Sequence, residues 1–287
     1  MALLDTNNPE QEAKNLLSTL GINLIPTPLE MICEKLGILL RYSTKIDSAG
    51  IFVRDNETKK TYIIIKDDIL YFTRKNFSIA HEIGHFCLPG HLNEYRCSFS
   101  DLHTYSPNKF AEKQANDFAS ELLMPSKFFS NDLKKYSLSL SSFGEIALKY
   151  NASLTAAAAK YIKKSRDIAA IIWAQDGQIK WTFRSPSFRW TLRSGAIHPN
   201  TYAIDFFEQR IELDGKANEV SFDAWIIEKT PFDTLVEETI SMPYLNATLS
   251  LIYPTVKDYE DDIFLVDDTK EKEDRYETRY KFGLRRR

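Results

Sequence analysis

The chain has 287 residues, 43% of them hydrophobic and 13% aromatic, enough for one large or two ordinary domains with a sizeable core. Charged residues make up 27% and the formal net charge is −3, which excludes a global pull toward nucleic acid or an anionic membrane and leaves only local patches to consider. The opening MALLDTNNPEQEAK carries Asp5 and Glu10 without an apolar run, no stretch reaches span length, and Cys33, Cys87 and Cys97 are too few for a disulfide framework. A cytoplasmic protein with no membrane segment and unpaired thiols is expected.

In chain order, Glu12, Ala13, Leu16, Leu17 and Leu20 recur at helical spacing until Gly21 stops them, and Pro28 opens a second helix that ends at Gly37. Ile38–Tyr42, Gly50–Arg54 and Thr61–Ile65 read as strands, with Asp55–Lys60 as a polar hairpin loop. Thr73–Cys87 is predicted helical, with Phe77, Ala80, Gly84 and Cys87 facing inward, and Leu88-Pro89-Gly90 breaks it. After a polar loop, Ser106-Pro107 resembles a cap and first turn, and Phe110–Leu123 follows as a helix ended by Pro125. Ser142–Tyr150 and Leu154–Lys164 are two helices turning at Asn151, with Ser153 as N-cap.

From about Asp167 the pattern changes. Ile168–Ala174 and Gln178–Phe183 are strands around the hairpin signal Asp176-Gly177, Tyr202–Leu213 reads as a helix, and Val220–Ile226 and Ala247–Tyr253 read as further strands. Asp258–Asp274 holds nine acidic side chains and Arg275–Arg287 six basic ones, a solvated tail by composition.

The chemistry concentrates at His81-Glu82-Ile83-Gly84-His85. Positions i and i+4 share a helix face, so the two imidazoles can converge on one ion. Glu82 lies about 100° around the helix, where it can reach a water beside that ion rather than the ion itself. Two histidines and a glutamate on a solvated face would be the bland alternative, but the small and apolar flank places this helix in the core. A catalytic metal commonly takes a third protein ligand and keeps one position open. His91 is one candidate, although Leu88 before Pro89 favours extended chain where a sharp turn back is needed. Glu112 is the other and is favoured, because it shares a helix face with Ala115, Asn116 and Ala119. Small residues there allow close approach, and Asn116 can orient a ligand from behind. Zinc suits this donor set, with manganese as the alternative.

The run FSIAHEIGH (Phe77–His85), followed by EKQANDFA (Glu112–Ala119) and Leu122-Leu123-Met124-Pro125, resembles the ImmA/IrrE family of metallopeptidases over about residues 10–165. The resemblance implies metal ligation by His81, His85 and Glu112, with Glu82 as catalytic base. It further implies cleavage of a helix-turn-helix repressor in a stress or mobile-element response. His103 or Tyr105 could supply a donor to the oxyanion. The expected architecture is α+β. It comprises a zincin-like peptidase domain of helices and a small sheet (1–125), a helix-turn-helix-like segment (126–165), a C-terminal α+β domain, sensory or regulatory, that supplies no metal ligand (166–257), and a charged tail (258–287).

Two other functions compete. Ala147–Lys164 with the basic residues Lys160, Lys163, Lys164 and Arg166 could serve a DNA-binding regulator, although lysines suit a helix C-terminus anyway and Ala156–Ala159 cannot read base edges. In a pseudo-enzyme the aromatics Trp173, Trp181, Phe183, Phe188 and Trp190 could line a sensor pocket, although such residues are more often core.

Overall fold

A computed structural model describes residues 8–55, 57–91, 94–97, 109–228 and 234–255. The Ser106-Pro107 cap, His103, Tyr105 and the charged tail lie outside the described residues.

Two helices open the chain: α1 (Pro9–Thr19), capped by the Asn8 side chain, and α2 (Leu29–Lys35). Strands β1 (Ile38–Ser43), β2 (Gly50–Arg54) and β3 (Thr61–Lys66) follow, then α3 (Phe72–Cys87) and a short strand β4 (Glu94–Cys97). The sheet order is β1-β3-β2-β4, with β1 parallel to β3 and the other pairs antiparallel. Strict alternation in β3 sends Thr61, Ile63 and Ile65 inward, so the period of two decides which face meets α3. Ile79, Ala80 and Ile83 of α3 join Ile63, Ile65 and Phe52 in one core.

Helix α4 (Lys109–Leu123) buries Ala115, Phe118, Ala119 and Leu122, a stripe at i, i+3, i+4 and i+7 that lets it pack on α3 on one side and α1 on the other. Burying side chains such as Phe118 and Leu122 contributes about 1.5–3 kcal/mol each. Three more helices complete this half: α5 (Ser126–Lys135), α6 (Leu140–Tyr150) and α7 (Leu154–Lys164). Asn151 takes the left-handed conformation between α6 and α7, and Ser153 accepts from Ala156 N–H, both as the sequence predicts. The cap of α6 is Ser139 rather than a residue nearer Ser142, so that helix starts two residues early.

Each lysine of α7 has a partner within the chain, although only Lys160 is buried. Lys160 is buried and bonds the Glu121 carboxylate at 2.8 Å and the Ser120 carbonyl at 3.2 Å. Glu121 also accepts from Ser126 N–H, capping α5. Removing one partner of such a buried pair strands the other, at about 3–5 kcal/mol. Lys163 lies over the Phe183 ring and Lys164 pairs with Glu10.

The remaining strands are β5 (Ala170–Gln175), β6 (Gln178–Arg184), β7 (Gly195–Ala196), β8 (Asp214–Ser221), β9 (Thr234–Met242) and β10 (Ala247–Pro254), with helix α8 (Ile204–Gln209) between β7 and β8. They form an antiparallel sheet in the order β7-β6-β5-β10-β9-β8. Asp176 and Gly177 both have positive φ, as the tight β5–β6 hairpin requires. One sheet face, with Ile171, Leu249 and Leu251, shares its core with Tyr161 and Ile162 of α7. The other face, with Ile172 and Ala174, packs against Phe188, Trp190, Phe222 and Trp225. Hydrophobic packing is therefore continuous between the helices and this sheet. Trp173, Trp181 and Phe183 lie on the face toward the helices, half-buried, and Phe188 and Trp190 fill the opposite core.

Three expectations shift here. The strand expected over Val220–Ile226 ends at Ser221, because Phe222–Ala224 coils into a 3-10 turn. The helix expected over Tyr202–Leu213 shrinks to α8, stopped by Arg210 in the left-handed conformation. Strand β9 has no counterpart in the sequence reading. Cys33 and Cys87 are free thiols, and burial pushes both pKa values up to about 12. Among the described residues, no helix is long and apolar enough to cross a membrane.

Candidate metal centre

Helix α3 carries His81, Glu82 and His85, all buried, and α4 brings Glu112 to the same place. The close helix crossing depends on Gly84. A Cβ there would lie 3.2 Å from Phe118 Cδ1 and 3.3 Å from Ala115 Cα, so the backbone of α4 sits where a side chain would stand. Together with Ala115 and Ala119, this brings the Glu112 carboxylate to the histidines.

His81 Nε2 and His85 Nε2 are 3.0 Å apart, Glu112 Oε2 is 3.2 Å from His81 Nε2, and Glu112 Oε1 is 3.5 Å from His85 Nε2. A tetrahedral ion with bonds of about 2.0–2.1 Å spaces its ligand atoms about 3.3–3.4 Å apart. The protons also fit. His81 Nδ1 lies 3.0 Å from Asn116 Oδ1, and an amide oxygen only accepts, so the ring proton belongs on Nδ1 and the Nε2 lone pair faces Glu112. Burial pulls the His85 pKa down to about 4, which keeps that ring neutral at neutral pH. Burial alone would raise the Glu112 pKa, but where the imidazoles turn protons toward it they outweigh burial and hold the carboxyl well below its ordinary range, and a bound ion would take the place of those protons. Neutral imidazole and ionised carboxylate are the forms that bind a cation. His81, His85 and Glu112 are the one such cluster among the described residues.

Glu82 points elsewhere, toward β2. A Cβ on Gly50 would lie 2.7 Å from Glu82 Oε1 and 3.1–3.2 Å from its Cγ and Cδ. Gly50 therefore leaves the space that the Glu82 carboxylate occupies. No sequence signal marked Gly50, because strand and helix meet only in the fold. Gly50→Ala should leave the strand intact, since φ at this position is not positive, and force the Glu82 carboxylate aside. A displacement near 1 Å can cost about 10²-fold in turnover, so activity should fall by that order while metal content and thermal midpoint stay close to wild type. Unchanged turnover would show that Glu82 has room to spare.

His91 stands outside the three-residue group. Its Nδ1 is 2.7 Å from His85 Nδ1, and its Nε2 is 3.3 Å from Gln114 Oε1. Leu88 is extended, as Pro89 demands, and Gly90 at φ 81° turns the chain back. Sequence reasoning weighed His91 as an ion ligand and did not single out Gln114.

Residues 33–161 match the model of a peptidase family, Peptidase_M78, described as the IrrE N-terminal-like domain. No curated protein matches the chain significantly. Among solved structures 11 chains match. One is a Mycobacterium tuberculosis transcriptional regulator, 15% identical, with a TM-score of 0.58 over 88% of this chain and 78% of that one. At that identity the likeness is one of fold.

Proposed function

We propose, from the match of residues 33–161 to the IrrE N-terminal-like domain of a peptidase family, that the chain is a metal-dependent endopeptidase that cuts a helix-turn-helix repressor in the cytoplasm. The observation that carries the reading is the convergence of His81, His85 and Glu112, with Glu82 next to His81 on the same buried stretch of α3. Two imidazoles and a carboxylate suit zinc, with manganese as the second choice. When bound, the ion supplies Lewis-acid polarisation of the scissile carbonyl. Asn116 holds the His81 ring in its binding tautomer. Glu82 takes the proton of the attacking water and returns it to the leaving amine. Gly50 leaves the room that the Glu82 carboxylate occupies.

The repressor class follows from family resemblance, and the burial of Lys160 against Glu121, which removes one of the basic residues of α7 from the surface, supports a peptidase over a DNA-binding protein. Co-expression with candidate helix-turn-helix repressors tests the proposal. A discrete repressor fragment should appear with the wild-type chain and be absent with Glu82→Gln. Fragments that persist with Glu82→Gln would point to another protease, and intact repressors throughout would refute the substrate class.

A further inference from the structure

Both nitrogens of His91 are committed to a chain of hydrogen bonds behind the metal centre. His85 turns Nε2 toward His81 and Glu112, which leaves its Nδ1 on the far side, 2.7 Å from His91 Nδ1. Two ring nitrogens at that distance must share one proton, with one donating and the other accepting. At its other end, His91 Nε2 is 3.3 Å from Gln114 Oε1. If the amide oxygen accepts, the proton on His91 sits on Nε2, and His91 Nδ1 presents a lone pair. His85 must then donate from Nδ1, and its own lone pair stands on Nε2, inside the centre. Gln114 is buried and belongs to α4, the helix that also carries Glu112 and Asn116.

We infer that His91 is a positioning residue, held by Gln114, that fixes the tautomer and ring angle of His85 as an ion ligand. This rests on the metallopeptidase reading. The two histidine ligands are then oriented by the same helix, His81 directly through Asn116 and His85 through the His91–Gln114 relay. The route through an imidazole is needed because the chain after α3 leaves in an extended direction at Leu88, so the acceptor for His85 is delivered by the returning loop. A ligand role for His91 would require one of its nitrogens in the centre, and both are engaged outside it.

The test uses the full chain, with zinc(II) affinity measured against a competing chromophoric chelator and the visible spectrum of the cobalt(II) form as a report on ligand geometry. His91→Ala should weaken zinc binding about 10–100-fold, the range for lost outer partners of a metal ligand, and alter the cobalt bands. His91→Asn, whose Oδ1 can accept from His85 in place of the ring nitrogen, should recover most of the affinity and the wild-type spectrum. Gln114→Leu, which leaves both rings in place, should give a smaller loss of the same sign and stands in if His91→Ala does not fold. Affinity and spectrum unchanged in His91→Ala or, failing that, in Gln114→Leu would overturn the inference. So would a His91→Asn variant no better than His91→Ala. A wild-type chain that takes up no ion is a different result, because it sinks the metallopeptidase reading and the relay with it.

Discussion

Glu82→Gln should leave the metal centre loaded and reduce peptide-bond cleavage by about 10²–10⁴-fold, the share that a positioned general base contributes. The amide matches the carboxylate in size, so it fits the space beside Gly50 without moving β2 or α3. It keeps hydrogen-bonding capacity but cannot take a proton from water at neutral pH. His81, His85 and Glu112 are untouched, and the helix remains buried in the same core. The measurements are metal stoichiometry of the purified variant and turnover on a cleaved repressor. Turnover within a few-fold of wild type would remove Glu82 from the mechanism.

Glu112→Ala should act on the other limb of the site and abolish tight metal binding. Two imidazoles on one helix remain, and the only negatively charged donor of the cluster is gone. The loss should exceed the about 10–100-fold typical of outer partners. Thermal unfolding gives an independent reading. An ion that binds only the folded wild type at 100 times its dissociation constant adds about 2.7 kcal/mol of stability. The same concentration should leave the Glu112→Ala midpoint where it is without metal. A variant that keeps the metal-dependent shift would show that another group completes the site.

The centre was largely legible in the sequence because its geometry is local twice over. His81 and His85 are set by one helical turn, and Glu112, Ala115, Asn116 and Ala119 by another, so only the meeting of two helices had to be inferred. His91 and Gln114 were harder, since their contact depends on how the Leu88–Gly90 turn folds back. Strand β9 was hidden for a related reason. Its middle reads Glu237-Glu238-Thr239, and all three side chains are buried. Glu237 accepts from Tyr202 N–H, Ala203 N–H, the Trp225 indole and the Thr239 hydroxyl, while Glu238 accepts from Leu140 N–H and the Tyr253 hydroxyl. Burial raises the Glu237 pKa. Carboxylates in a strand interior break the apolar pattern, and their satisfying donors come from remote segments that no local window contains.

The place of β10 bears on how the chain folds as it is made. It lies between β5 and β9, yet it follows both in sequence. Until residue 254 has left the ribosome, β5 and β9 each present an unpaired edge, and Tyr161 and Ile162 lack the Leu249 and Leu251 side chains that help to close their core. Open strand edges and uncovered apolar surface are what misassembly begins from, and contacts of long sequence separation form slowly. The helical half can therefore assemble early during synthesis, whereas the six-stranded sheet is sealed from its middle, by its last strand.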